Sequence, residues 1–347
     1  MCGVERGEID TSGSDILPEL RRLLSGHFPG LRSVKPANGK GNHRTYFLDY
    51  SGGRAFVRVE DGPEGDGHLA VESRVMTEVG KTGVPIPRVL FTDASRTKAP
   101  FAVQVIEYFN CPDLNALHRA GSLPLAHIAG EVGRGIACWQ DVPVSGFGPF
   151  DAEGTATKGR LTGYHETYAH YFRLQLERHL ALLVASKFLT TAEAADIRCV
   201  INEHAELLDL SQGCLVHKDV ALWNIMGTCD GIRAFIDWDD AIAGDPTDDL
   251  SLLACFHPAD VVQAAMDGYA SVRPLPENFE PRFWLHFLRN MIVKSLIRCG
   301  AGYFNLTPGG AFLMASGQDG PSFKAATREK LFAAFSGLSY ARALTFL

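Results

Sequence analysis

The segment Leu215-Val-His-Lys-Asp-Val-Ala-Leu-Trp-Asn224 leads into Ile236-Asp-Trp-Asp-Asp240 and then into Ala243-Gly-Asp-Pro-Thr-Asp-Asp-Leu250. Its form is HxDxxxxN, with an apolar-flanked aspartate, Asp237, eighteen residues after Asp219. These residue types suit transfer of a phosphoryl group to a hydroxyl. Such a reaction needs a carboxylate to orient the hydroxyl and accept its proton, and hard oxygen ligands for magnesium bridging the phosphates. A hairpin carrying Asp219, Asn224 and Asp237 on one side would bring all three to one cleft, with His217 anchoring the loop. An HxD tripeptide alone arises often by chance, so the inference rests on the ordered set.

Outward from this segment the texture changes near residue 110. Before it, strands dominate. Ser14 or Asp15 can cap a short helix bearing Ile16, Leu20, Leu23 and Leu24, which Gly26 can end. The runs 45–50 and 54–59, joined by Ser51-Gly52-Gly53, read as a β-hairpin. From His68 to Val79 the pattern is helical, and Glu72 lies inside the apolar stripe of Leu69, Val75, Met76 and Val79. A carboxylate there is costly unless paired, and the strand residue Arg58 is the evident partner; a helix that twists outward would instead expose it. Pro85 and Pro87 force an extended segment, and the strand 101–106 runs into Glu107-Tyr108-Phe109, the expected interlobe hinge. Beyond it, helices are expected at about 125–141, 163–187, 190–208, 258–272, 280–298 and 322–345, with β-like pieces confined to 214–240.

Together the motifs resemble the aminoglycoside phosphotransferase and choline-kinase-like family, whose signature is a loop close to HGDxxxxN, then IDW, then GDPxxDL. The resemblance runs in order over roughly residues 35 to 255. It implies an α+β, bilobal, protein-kinase-like fold: an antiparallel-sheet, nucleotide-binding lobe over 1–108 and a mostly helical catalytic and substrate-binding lobe over 109–347. It implies Asp219 as the catalytic carboxylate, Asn224 and Asp237 as Mg2+ ligands, and His217 and Asp249 as supports of the loop. Asn42, in the glycine-containing stretch 38–45, would belong to a loop covering the phosphates, although a plain turn explains that stretch equally. Arg58 stands where protein kinases place the phosphate-binding lysine, as in hygromycin phosphotransferases, and Glu72 at the partner carboxylate. Glu107 and Tyr108 would form the hinge whose backbone reads the purine of ATP, or of GTP in its place. Lys218 replaces the usual glycine, Ala221 a frequent histidine, and Trp139-Gln140 a frequent leucine-histidine, all on the acceptor side of the site.

The 347 residues, 46% hydrophobic and 21% charged, suffice for two lobes. A net charge of −7 argues against nucleic-acid binding and fits a cationic small molecule better. Eight scattered cysteines without a CxxC pair, an acidic start and no bilayer-length apolar run point to a reduced, cytoplasmic protein away from membranes, acting as a monomer or homodimer. The family's acceptor-binding insertion corresponds to about 155–210, where Glu166 is a candidate ligand, while Tyr168, Tyr171 and Phe172 read equally well as helix core. Asp239, Asp240 and Asp248 would give an acidic floor that steers an amino sugar. Arg58 and the piece Ser145–Phe150 lean towards hygromycin phosphotransferases. A metabolic kinase of the same fold, acting on choline, a sugar, homoserine or a biosynthetic intermediate, shares every motif.

Overall fold

The computed structural model describes residues 16–37, 43–63, 65–307 and 319–347. Helix α1 (Leu17–Ser25) packs Leu20, Leu23 and Leu24 inward. The proposed caps Ser14 and Asp15 lie outside the described residues. Gly26 does close the helix, but at φ −75°, in the right-handed region rather than the left-handed one that glycine favours. Strands β1 (Ser33–Pro36), β2 (Arg44–Tyr50), β3 (Gly53–Glu60), β4 (Val89–Asp93) and β5 (Ala102–Glu107) form an antiparallel sheet in the order β1-β2-β3-β5-β4. Side chains alternate across β3. Ala55, Val57 and Val59 enter a core with Leu20, Leu24 and Leu48, whereas Arg58 turns to the opposite face. There helix α2 (His68–Gly80) crosses, burying Glu72 to 2% exposure.

The remaining chain is mostly helical: α3 (Leu114–Arg119), α4 (Leu125–Trp139), α5 (Ala152–Lys158), α6 (Tyr168–Arg173), α7 (Leu176–Ala185), α8 (Thr191–Glu203), α9 (Asp248–Leu253), α10 (Ala259–Ala270), α11 (Phe279–Gly300) and α12 (Gly320–Ser339). Within it a second five-stranded sheet is built from β6 (Val144–Ser145), β7 (Phe147–Phe150), β8 (Leu161–His165), β9 (Cys214–Val216) and β12 (Ile242–Gly244), while β10 (Ile225–Thr228) and β11 (Gly231–Phe235) make a hairpin. The single helix expected over 163–187 is instead β8 followed by two short helices. Gly163 explains the strand: a Cβ there would meet the Phe147 carbonyl oxygen at 2.5 Å, so only glycine allows β8 to close on β7. Thr167 then caps α6 by accepting from His170 N–H at 3.3 Å.

Two contacts fix how the helices hold the site. Helices α4 and α10 touch backbone to backbone, since a Cβ on Gly133 would lie 1.8 Å from the Ala265 carbonyl oxygen and one on Gly268 2.0 Å from that of Gly130. Helix α11 runs through the core, burying Phe283, Trp284, Leu285, Phe287 and Leu288, yet places Arg282, His286, Asn290, Lys294 and Arg298 at four-residue intervals. That spacing is one helical stripe. Among the described residues no helix is long and apolar enough to cross a membrane, and the seven described cysteines are free thiols.

Candidate active site

Strand β9 ends at Val216, and the chain turns through His217–Asn224 before β10. His217 is fully buried. Its Nδ1 accepts the Asp219 N–H at 3.3 Å and its Nε2 donates to the Ile236 carbonyl at 3.1 Å, so one ring ties the loop to the strand that precedes Asp237. Burial lowers its pKa and keeps it neutral, as that hydrogen-bond pattern requires. At the start of α9, Asp249 accepts the backbone N–H groups of His217 (2.8 Å) and Lys218 (2.9 Å) and the Trp139 indole N–H (3.2 Å). Trp139 closes the space behind the loop by packing on His217, Phe235 and Trp238.

The backbone at Lys218 is left-handed, φ 71°, which explains the glycine usual at that place. A non-glycine residue there costs about 1–2 kcal/mol. The side chain offsets it: Nζ donates to both oxygens of Asp248 (2.8 and 2.7 Å) and to Asn290 Oδ1 (2.8 Å). Asp248 therefore departs from the sequence expectation. It is 1% exposed and held by Lys218 and Asn290, so it adds no free charge to an acidic floor.

Asp219 accepts from Asn224 Nδ2 at 2.8 Å and from Lys294 Nζ at 2.7 Å. Burial works to raise its pKa, but the Lys294 ammonium outweighs it and holds the carboxyl below the ordinary aspartate value. The Asn224 amide nitrogen also donates to the Asp219 carbonyl at 2.9 Å, and among the described residues its Oδ1 makes no hydrogen bond. The Ile236 N–H donates to the Asn224 carbonyl at 2.9 Å and draws Asp237 alongside. Asp237 sits at φ 66°, and its side chain is 44% exposed, with Arg58 Nη2 at 3.3 Å. Burial and the neighbouring Asp239 push its carboxyl up to about 7.

Arg58 donates to Glu72 and comes within 3.7 Å of Asp239. Glu72 also accepts the Trp238 backbone N–H at 3.2 Å, so the pair links β3 and α2 to the segment carrying Asp237. One guanidinium thus faces three carboxylates. Asp240 keeps part of its surface open, makes no ion pair among the described residues, and is pushed up to about 6 by partial desolvation in the cleft and by Asp239. At the hinge, the Glu107 carboxylate is paired with Arg88 at 3.1 Å and the Tyr108 ring packs on Phe47. Glu166 is exposed and meets none of Asp219, Asn224 or Asp237. Asn42 lies outside the described residues.

Helix α11 supplies what sequence reading missed: Lys294 on Asp219, Asn290 on Asp248, Arg282 on Asp245 at 2.6 Å, and Arg289. The signal was the stripe of polar residues every fourth position in an otherwise apolar helix.

No curated protein matches the sequence. Similar solved structures include a thermostable mutant of aminoglycoside phosphotransferase APH(4)-Ia in its apo form, 18% identical, with TM-score 0.65 and coverage of 94% of this chain and 100% of that one. A ternary complex of such a mutant with AMP-PNP and hygromycin B is also 18% identical, with TM-score 0.64 over 91% and 97% of the two chains. Macrolide 2'-phosphotransferase MphH from Brachybacterium faecium is 17% identical, with TM-score 0.56 over 92% and 97%. At these identities the likeness is one of fold, which is the bilobal α+β protein-kinase-like architecture. Residues 33–281 match the sequence pattern of the phosphotransferase enzyme family, and the chain belongs to that family of kinase-type enzymes.

Proposed function

We propose that this protein transfers the γ-phosphoryl group of ATP to a hydroxyl of an amino-bearing small molecule of amino-sugar type, in the cytoplasm. The observation that carries the reading is the meeting of Asp219, Asn224 and Asp237 beside the Arg58–Glu72 pair. Asn224 and Asp237 would hold the nucleotide's Mg2+, which neutralises charge on the phosphates. The residues suit that ion: among the described residues Asn224 Oδ1 has no hydrogen bond, and the Asp237 carboxyl carries more neighbouring negative charge than Arg58 offsets. Among the described residues no three His, Cys, Asp or Glu side chains form a ready cage, which agrees with an ion held by few protein ligands and by phosphate oxygens. Arg58, fixed by Glu72, would meet the phosphates, and the chain near Glu107 and Tyr108 the base.

Asp219 orients the acceptor hydroxyl and takes its proton as the oxygen bonds to phosphorus. Lys294 keeps it ionised, and its position matters more than its basicity because the proton becomes acidic only late in a loose transfer. Asp240, the carboxylate here without a cation, would meet the acceptor's amine. The neutralised Asp248 weakens the case for a strongly cationic ligand such as hygromycin and favours the metabolic-kinase alternative to that extent. A nucleotide-consumption screen over amino-sugar antibiotics, choline, sugars and amino alcohols tests the reading. Turnover with amine-bearing alcohols, with KM raised in Asp240→Asn and nucleotide affinity unchanged, is expected; turnover confined to uncharged acceptors would reject the amine.

A further inference from the structure

Next in sequence to the Asp219–Lys294 pair are residues that line a cavity of about 50 Å³, whose walls include Tyr171, Lys218, Asp248, His286, Arg289 and Val293. Two of its lining residues are chain neighbours of that pair: Lys218 precedes Asp219 on the loop and Val293 precedes Lys294 on α11. Assigning partners to the charges around it leaves one cation over. Lys218 spends all three donors on Asp248 and Asn290. Asp245 has Arg282 at 2.6 Å and His286 at 3.1 Å.

Arg289 has no such partner. Its Nε donates to the Phe172 carbonyl at 3.3 Å and its Nη1 to His179 Nδ1 at 3.1 Å, while its guanidinium lies 5.8 Å from the Phe172 ring centroid. Both acceptors are neutral, since burial and Arg289 itself lower His179 to about 4. Arg289 makes no ion pair among the described residues, and its Nη2 makes no hydrogen bond. Among the described residues the Tyr171 hydroxyl on the same wall is likewise without a hydrogen bond, its ring meeting His165 and Tyr168. Arg289 and Tyr171 are half-buried, so guanidinium N–H groups and a hydroxyl line the cavity without a paired anion, and together they can donate to the two oxygens of a carboxylate.

We propose that this cavity is the acceptor's carboxylate subsite, in which Arg289 and the Tyr171 hydroxyl bind the carboxylate of a molecule whose hydroxyl is presented to Asp219. The inference rests on the phosphotransfer reading above and narrows it: the acceptor is a hydroxylated acid that also carries an amine, rather than a purely cationic amino sugar. The small volume and the Asp248 carboxylate on the same wall favour a singly charged carboxylate over a more highly charged phosphate.

Saturation-transfer NMR with acetate as the probe, at fixed ionic strength and with inorganic phosphate as a second arm, tests it on the full-length protein. Acetate should bind saturably. Its affinity should fall about tenfold or more in Arg289→Gln, the scale of a lost charge-assisted hydrogen bond, and severalfold in Tyr171→Phe. Tyr171→Phe removes only a hydroxyl without a hydrogen bond in the fold, so a packing role for Tyr171 would leave acetate binding unchanged. Equal affinity in wild type and both variants, or no saturable signal, overturns the proposal, and so does preference for phosphate over acetate. Titration of the same samples with AMP-PNP and Mg2+ separates the two readings. Nucleotide binding without acetate binding removes the subsite alone, whereas acetate binding without nucleotide binding removes the phosphotransfer reading.

Discussion

The proposed nucleotide side and the proposed acceptor side of the cleft are both built on buried ion pairs, but the clusters around them have opposite charge balances. On the nucleotide side one guanidinium, Arg58, faces Glu72, Asp237 and Asp239, and the excess is negative. Around the acceptor-side cavity Lys218 answers Asp248 and Arg282 answers Asp245, and Arg289 remains as positive excess on that wall, apart from the unpaired Asp240. A buried cluster left unbalanced by its own residues is built for what it binds. One side lacks a cation and the other an anion, with Asp219 and Lys294 as a neutral pair at the boundary.

Breaking that boundary gives the largest expected effect. Asp219→Asn keeps the shape of the loop but cannot accept the proton, and turnover should drop about 10²- to 10⁴-fold. Nucleotide affinity should change little, because Asn224 and Asp237 are untouched. Near-normal turnover in this variant would show that Asp219 is not the proton acceptor. On the acceptor side, Lys218→Met leaves Asp248 buried with Asn290 as its main remaining partner, and breaking such a pair destabilises by about 3–5 kcal/mol. Adding Asp248→Asn should restore most of the thermal unfolding midpoint; no restoration would mean that Lys218 acts through the backbone instead.

The nucleotide side should respond in the opposite sense and more weakly. Burial and Asp239 raise the Asp237 carboxyl to about 7, well above the unfolded value near 3.9. Its ionisation therefore works against the fold, increasingly so as pH rises from about 4 through 7. Asp237→Asn removes that opposition. The variant should unfold at a higher temperature than wild type at pH 8 and at about the same temperature at pH 4, while losing nucleotide binding. A lower midpoint at pH 8 would reverse the sign assigned to the cluster.

The two sides also differ in how far sequence reveals them. Asp219, Asn224 and Asp237 lie within eighteen residues, and Arg58 and Glu72 on neighbouring elements, so spacing and an apolar stripe were enough to pair them. Lys294 and Asn290 reach Asp219 and Asp248 from 75 and 42 residues away, across a packing of helices that no local pattern specifies. Local chemistry also misled at Asp248, where a free charge on an acidic cleft floor was expected from its place in the motif and a neutralised one was found. The split of the expected helix at 163–187 has a similar cause, because β8 depends on β7 for its hydrogen bonds and on Gly163 for its fit.

The backbone contact between α4 and α10 carries a consequence for how this sequence can drift. Trp139, which braces Asp249 behind the loop 217–224, is the last residue of α4, and the distance of that helix from α10 is set by Gly130, Gly133 and Gly268. In a saturation mutagenesis library Gly133 and Gly268 should tolerate substitution as poorly as Asp219 does, although neither touches a ligand. A single methyl group at either would wedge the helices apart and tilt the indole off Asp249. Selection for phosphotransfer therefore acts on a glycine pair buried well away from the phosphate, and a library scored by activity alone would mistake these glycines for active-site residues.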